Sequence, residues 1–161
     1  MADKKKILVI DDEADLCILI KENLEGTGQY VVVTSTNPLE AESLCKREKP
    51  DLVLLDNIMP TRKGSEIVKV LKNDSGLKSI PIVMISGKGE MVYSKKKGQF
   101  LWQPNSPAAK GRGGVVEGKD PEILSKAYGV DDYISKPFTT EILVQVIGDV
   151  IAKSVKAQEE G

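Results

Sequence analysis

The sequence predicts an α/β protein built on a buried parallel sheet with helices on both faces. Three observations carry this. Five apolar runs, at Lys6–Ile10, Tyr30–Thr34, Leu52–Leu55, Ile80–Ile85 and Val130–Ser135, are too short for helices and are bounded by turn residues. Segments with helical spacing of apolar residues separate the first four and follow the fifth. Buried strands alternating with helices imply parallel pairing through right-handed crossovers.

The elements follow in order. Lys6–Ile10 runs straight into Asp11 and Asp12. A helix over 13–25 places Leu16, Leu19, Ile20 and Leu24 inward, with Gly26 as its stop. Tyr30–Thr34 is β-branched, as strands favour. Asn37-Pro38-Leu39-Glu40 reads as a helix start: Asn caps, Pro takes the first helical position, Glu closes a capping box. That helix ends near Glu48, because Pro50 disfavours helix at Lys49. Leu52–Leu55 delivers Asp56 to the end of its strand, and a helix over 64–73 follows with Ile67, Val70 and Leu71 inward. Ile80–Ile85 ends at Ser86. Asp120-Pro121 opens a helix to about Tyr128, Gly129 stops it, and Val130–Ser135 is the fifth strand of the sheet. A last helix over 140–151 buries Leu143, Val146, Ile147, Val150 and Ile151, and the tail beyond it is expected to fray.

Composition excludes more than it assigns. Twenty-three basic residues against 24 acidic leave a net charge of −1, no global reason to bind nucleic acid or membrane. No apolar run approaches the length of a membrane span, and the start is too short in apolar residues for a signal peptide. Cys17 and Cys45 have neither CxxC nor metal-ligand spacing, so a reduced cytoplasmic protein with two structural thiols is expected. The chain has no histidine, which excludes Ser/His and Cys/His pairs, His-based metal sites and a phosphohistidine of its own. The chemistry must rest on carboxylates, Lys, hydroxyls and backbone.

Parallel strands bring their C-terminal ends to one edge, where ligands bind in open sheets. That edge collects Asp11, Asp12, Asp56, Ser86 and Lys136. Clustered carboxylates repel, and a divalent cation plus Lys136 would balance them; Mg²⁺, which prefers oxygen ligands, fits best. A carboxylate with Mg²⁺, a lysine and a hydroxyl can handle a phosphoryl group. The carboxylate serves as nucleophile, the cations neutralise developing charge, and Ser86 and the Gly87 N–H bind phosphate oxygens. Each of these residues alone would be an ordinary cap, turn or solvated side chain; the assembly on one edge carries the reading.

The motifs are the Asp11-Asp12-Glu13 acids after the first strand, Asp56 with Met59-Pro60 and Gly64, Pro81 to Gly87, and Gly129 to Phe138. On them the chain resembles the receiver domain of bacterial two-component response regulators, over nearly all of 4–153. The resemblance implies a flavodoxin-like, five-stranded sheet of order 2-1-3-4-5. It implies that Asp56 accepts a phosphoryl group from a histidine kinase or histidine phosphotransfer protein. It implies Mg²⁺ held by Asp11, Asp12, Asp56 and the Ile58 carbonyl, and a cis bond between Lys136 and Pro137. Ser86 and Tyr133 would form the switch. Output would pass to a downstream protein target, with a homodimer as a further option.

One stretch departs from the family. Ser86 to Lys136 spans 50 positions, and about two dozen residues look inserted. Residues 1–161 are read as a single domain, with 88–119 as a Gly-rich basic insertion. It carries seven basic against two acidic residues, interleaved with Tyr93, Phe100 and Trp102. Met91–Ser94 and Gln99–Gln103, around Lys95-Lys96-Lys97-Gly98, predict a hairpin. It is either a solvated loop or a docking element, and it is the one place where nucleic acid could be held. Two other functions fit less well: a phosphorylation-independent pseudo-receiver, and an Asp-nucleophile phosphohydrolase, whose DxD pattern is missing at Ile58 and Glu13.

Overall fold

The computed structural model describes residues 3–57, 59–85, 89–94, 99–104, 129–134, 136 and 138–160, with 89–94 and 99–104 described by backbone alone. The element order is β1 (Lys5–Ile10), α1 (Ala14–Glu25), β2 (Tyr30–Ser35), a 3₁₀ turn (Pro38–Glu40), α2 (Ala41–Glu48), β3 (Leu52–Asp56), α3 (Gly64–Asn73), β4 (Ile82–Ile85), β5 (Gly89–Ser94), β6 (Gln99–Pro104), β7 (Asp132–Ile134) and α4 (Thr140–Glu160). Five strands form a parallel sheet in the order β2-β1-β3-β4-β7. Counting only strands of this sheet, the order is 2-1-3-4-5. β5 and β6 pair antiparallel in a separate two-stranded sheet, with Met91 opposite Trp102 and Tyr93 opposite Phe100. The expected helix over 120–128 lies outside the described residues.

The central strands are apolar on both faces, and their alternation sorts them into two cores. Leu8, Ile10, Val53, Leu55, Ile82, Met84 and Tyr133 pack with α2 and α3. Ile7, Val9, Leu52, Leu54, Val83, Ile85 and Ile134 pack with α1 and α4. Every residue of β3 is buried, and each large apolar side chain there contributes roughly 1.5–3 kcal/mol.

Two helices sit at a different rotation from the one expected. In α1 the buried stripe is Cys17, Ile20 and Leu24; Leu19 is half exposed, and Leu16 only borders the core. In α3 Val68 takes the inward place expected of Val70, which is 41% exposed. Both segments carry adjacent apolar residues, so periodicity alone admits more than one phase. The tail is also more ordered than expected: α4 continues to Glu160. Ala152, Lys153, Lys156, Ala157 and Gln158 are strong helix formers. Its last turns border a cavity of about 200 Å³ shared with Lys5, Pro50 and Pro81.

Local chemistry sets the other ends. The Asn37 side chain accepts from the Leu39 N–H at 3.1 Å, as a cap should. Glu40 does not reach back to the Asn37 N–H directly. Ser35 Oγ stands between them, accepting from Asn37 N–H (3.1 Å) and donating to Glu40 (3.1 Å). Lys49, ahead of Pro50, ends α2 in the left-handed conformation (φ 48°). At the N-terminal edge of the sheet, Asp51 accepts the Lys6 N–H at 2.7 Å and Asp131 accepts the Ile82 N–H at 2.8 Å.

Candidate functional site

The alternation of the strands decides which side chains meet at the opposite edge. Asp11 follows the parity of Ile7 and Val9, Asp56 that of Leu52 and Leu54, and Lys136 that of Ile134, all on the α1/α4 side. β1 and β3 are neighbours, and β3 pairs β4 with Asp56 opposite Ile85. Asp11 and Asp56 are therefore buried together, at 0% and 1% exposure, beside the partly buried Asp12. One carboxylate oxygen from each of the three lies within 4.8 Å of the other two.

Lys136 Nζ lies 3.2 Å from Asp11 Oδ2, 3.5 Å from Glu13 Oε1 and 3.9 Å from Asp56 Oδ1. Asp11 spends its other oxygen on the Glu13 N–H (2.8 Å), fixing the start of α1. The Cys17 thiol donates to the Asp11 carbonyl at 3.4 Å. Neither oxygen of Asp56 receives a hydrogen bond among the described residues, although both are buried.

One ammonium against three clustered carboxylates leaves this arrangement electrostatically unfavourable. Burial, then the Asp11 charge, pushes Asp56 up to about 7, against the lowering pull of Lys136. Burial also raises Asp11, opposed by the Glu13 N–H and Lys136. Burial works against the charge on Lys136, but Asp11, Asp56 and Glu13 together raise its pKa. Cys17 is pushed up to about 11 by burial and by Asp11, so it is an inert thiol. Three carboxylates with no sulfur or imidazole among them form an all-oxygen donor set, and the bare oxygens of Asp56 suit a hard divalent cation.

The loop after β3 is held tightly against Asp56. The Gly64 N–H donates to the Asn57 carbonyl at 2.9 Å. A Cβ on Gly64 would collide with the Asp56 carbonyl oxygen and lie 2.9 Å from the Asn57 Cα. Arg62, with its side chain 16% exposed, ties the loop to α2 through Glu42 at 2.6 Å.

Of the residues expected at the site, the structure brings together Asp11, Asp12, Asp56 and Lys136. Ile58, Ser86, Gly87 and Pro137 lie outside the described residues. Tyr133 is buried at 8% exposure among the α2/α3-side core, rather than half-buried as an edge strand suggests. Glu13 was expected only to begin α1, yet it shares the Lys136 ammonium. The signal was in the sequence, as a third acid directly after Asp11-Asp12.

Comparison with known proteins agrees with this geometry. Residues 7–99, over half the chain, match the family model described as the response regulator receiver domain. The phosphate regulon transcriptional regulatory protein PhoB of Pseudomonas aeruginosa is 31% identical over 156 residues, covering 97% of this chain and 56% of that protein. The alkaline phosphatase synthesis transcriptional regulatory protein PhoP of Bacillus subtilis is 33% identical over 135 residues, covering 84% and 43%. The chain thus spans about half the length of the curated relatives it matches. Among solved structures, the chemotaxis response regulator CheY4 of Vibrio cholerae superposes with a TM-score of 0.64 at 24% identity, covering 92% of this chain and 99% of that one. At that identity the likeness is one of fold. Sequence family and sheet topology agree, and the chain belongs to the response regulator receiver domain family.

Proposed function

We propose that this chain is a phosphoacceptor: Asp56 takes a phosphoryl group from a phosphohistidine on a partner kinase or phosphotransfer protein. The observation that carries the reading is the buried Asp56 carboxylate, which has no hydrogen-bond donor on it among the described residues, beside two further carboxylates and one lysine. An oxygen of Asp56 attacks phosphorus, and the O–P bond forms as the P–N bond to the donor imidazole breaks. The imidazole nitrogen keeps the electron pair and takes a proton. Lys136, already within 3.9 Å of Asp56, pairs with the phosphoryl oxygens as they arrive.

Asp11, Asp12 and Asp56, with the Ile58 carbonyl, would hold Mg²⁺, which supplies positive charge against the incoming phosphoryl group. Ser86 and the Gly87 N–H, following β4 directly, would hydrogen-bond that group. The new charge, roughly −1.5 to −2 at neutral pH, draws Ser86 and Lys136 inward, and Tyr133 follows as the readout. Among the described residues no helix is long and apolar enough to cross a membrane.

The test is incubation with acetyl phosphate or beryllofluoride in Mg²⁺, read by intact mass and by ¹⁹F NMR. The expected result is one adduct per chain that Asp56→Asn abolishes. An unmodified wild type sinks the proposal, and multiple turnover of phosphoesters would replace it with a hydrolase.

A further inference from the structure

The Lys136 ammonium is shared unevenly. It is closer to Asp11 and Glu13 than to Asp56, the group beside which a phosphoryl oxygen would need it. Asp11 is also buried and bound through its second oxygen to the Glu13 N–H, so it is fixed in place. Glu13 differs: its side chain is 46% exposed and makes no capping bond to α1. It can leave the largely buried Lys136 for water at little cost to itself, because its own carboxylate is already half exposed.

We propose that Glu13 is a positioning residue that keeps Lys136 drawn to the Asp11 side, at the long end of its contact with Asp56, before phosphorylation and yields it to the phosphoryl group afterwards. This rests on the phosphoacceptor reading and adds a regulator of it. A cation held on one side by a movable carboxylate is available to the incoming anion only after that contact breaks. The strength of the contact therefore sets how readily the site accepts and keeps a phosphoryl group. Glu13 touches neither phosphorus nor metal in this scheme and acts only through Lys136.

The substitution Glu13→Gln retains the backbone N–H that Asp11 accepts, so the cap of α1 survives. Breaking this ion pair, half exposed on the Glu13 side, should tighten beryllofluoride binding, and speed phosphorylation by acetyl phosphate, by about two- to fivefold. Glu13→Asp, one methylene shorter, keeps the charge but withdraws it from Lys136 and should show most of the same gain. The deciding comparison is a double-mutant cycle with Lys136→Met, in which Glu13→Gln should have no effect. In metal-free protein, the Lys136 ammonium resonance should shift in Glu13→Gln, a readout independent of phosphorylation. An equal gain in the Lys136→Met background overturns the proposal, because the effect would then be a general loss of negative charge. Wild-type binding with no gain in either Glu13 variant overturns it also. Absence of binding in wild type overturns the phosphoacceptor reading and this one with it.

Discussion

Replacing Asp56 by Asn should stabilise the metal-free protein, and the gain should depend on pH. Asp56 is 1% exposed, and its carboxyl is raised from 3.8 to about 7, first by burial and then by Asp11. The native state therefore holds this proton more tightly than the unfolded chain. Below the unfolded value both states are protonated and nothing is lost. As pH rises from about 4 through about 7 the native state must give up a proton it favours, and stability falls. The rise from 3.8 to about 7 sets a ceiling of ~4 kcal/mol at pH 8, shrinking to ~1 kcal/mol at pH 4.5. Relaxation and water entry reduce the ceiling, so a gain of about 2 kcal/mol at pH 8 is expected for Asp56→Asn. Urea unfolding followed by circular dichroism, in EDTA at pH 4.5 and 8, measures both points. Saturating Mg²⁺ should then narrow the gap by stabilising wild type more than the variant. A variant no more stable than wild type at pH 8, or a gap equal at both pH values, would refute the electrostatic account of the site.

Three further outcomes follow from the same geometry. Mg²⁺ affinity should rise with pH between 5 and 8, because the cation competes with protons on the raised Asp56 and Asp11; calorimetry at several pH values checks this, and a flat profile contradicts it. Gly64→Ala should cost about 2 kcal/mol or more in urea unfolding and impair Mg²⁺ binding together, since its Cβ meets the backbone of Asp56 and Asn57. Arg62→Ala should cost about 1 kcal/mol through the lost Glu42 pair, measurable by thermal unfolding, with Glu42→Ala nearly non-additive to it.

Much of the sheet was legible because its strands are buried on both faces and announce themselves as unbroken apolar runs. The candidate site was legible for the same reason: Asp11 and Asp56 stand where such runs stop, and parallel pairing brings those ends to one edge. Helix rotation was less legible. Ile18, Leu19 and Ile20 are consecutive, as are Val70 and Leu71, and only packing against the sheet chooses among them. The sequence marks Glu13 only as a third acid after Asp11-Asp12; that it pairs with Lys136, 123 residues away, needs the third dimension. The same holds for Arg62 and Glu42, and for Ser35, which relays between Asn37 and Glu40.

Asp51 and Asp131 at one edge of the sheet, and Asp11 and Asp56 at the other, are the same residue type under opposite pressures. The first pair holds strand N–H groups, so alanine there removes an acceptor and weakens the fold. In the second pair Asp56 crowds charge into the interior with no donor on it among the described residues, so a neutral replacement there strengthens the fold, whereas Asp11 also holds the Glu13 N–H. A deep mutational scan scored for abundance would rank the four aspartates one way, and a scan scored for signalling would rank them differently. Drift under selection for folding alone would erase the Asp56 edge first, and a lineage that keeps it is being held there by use.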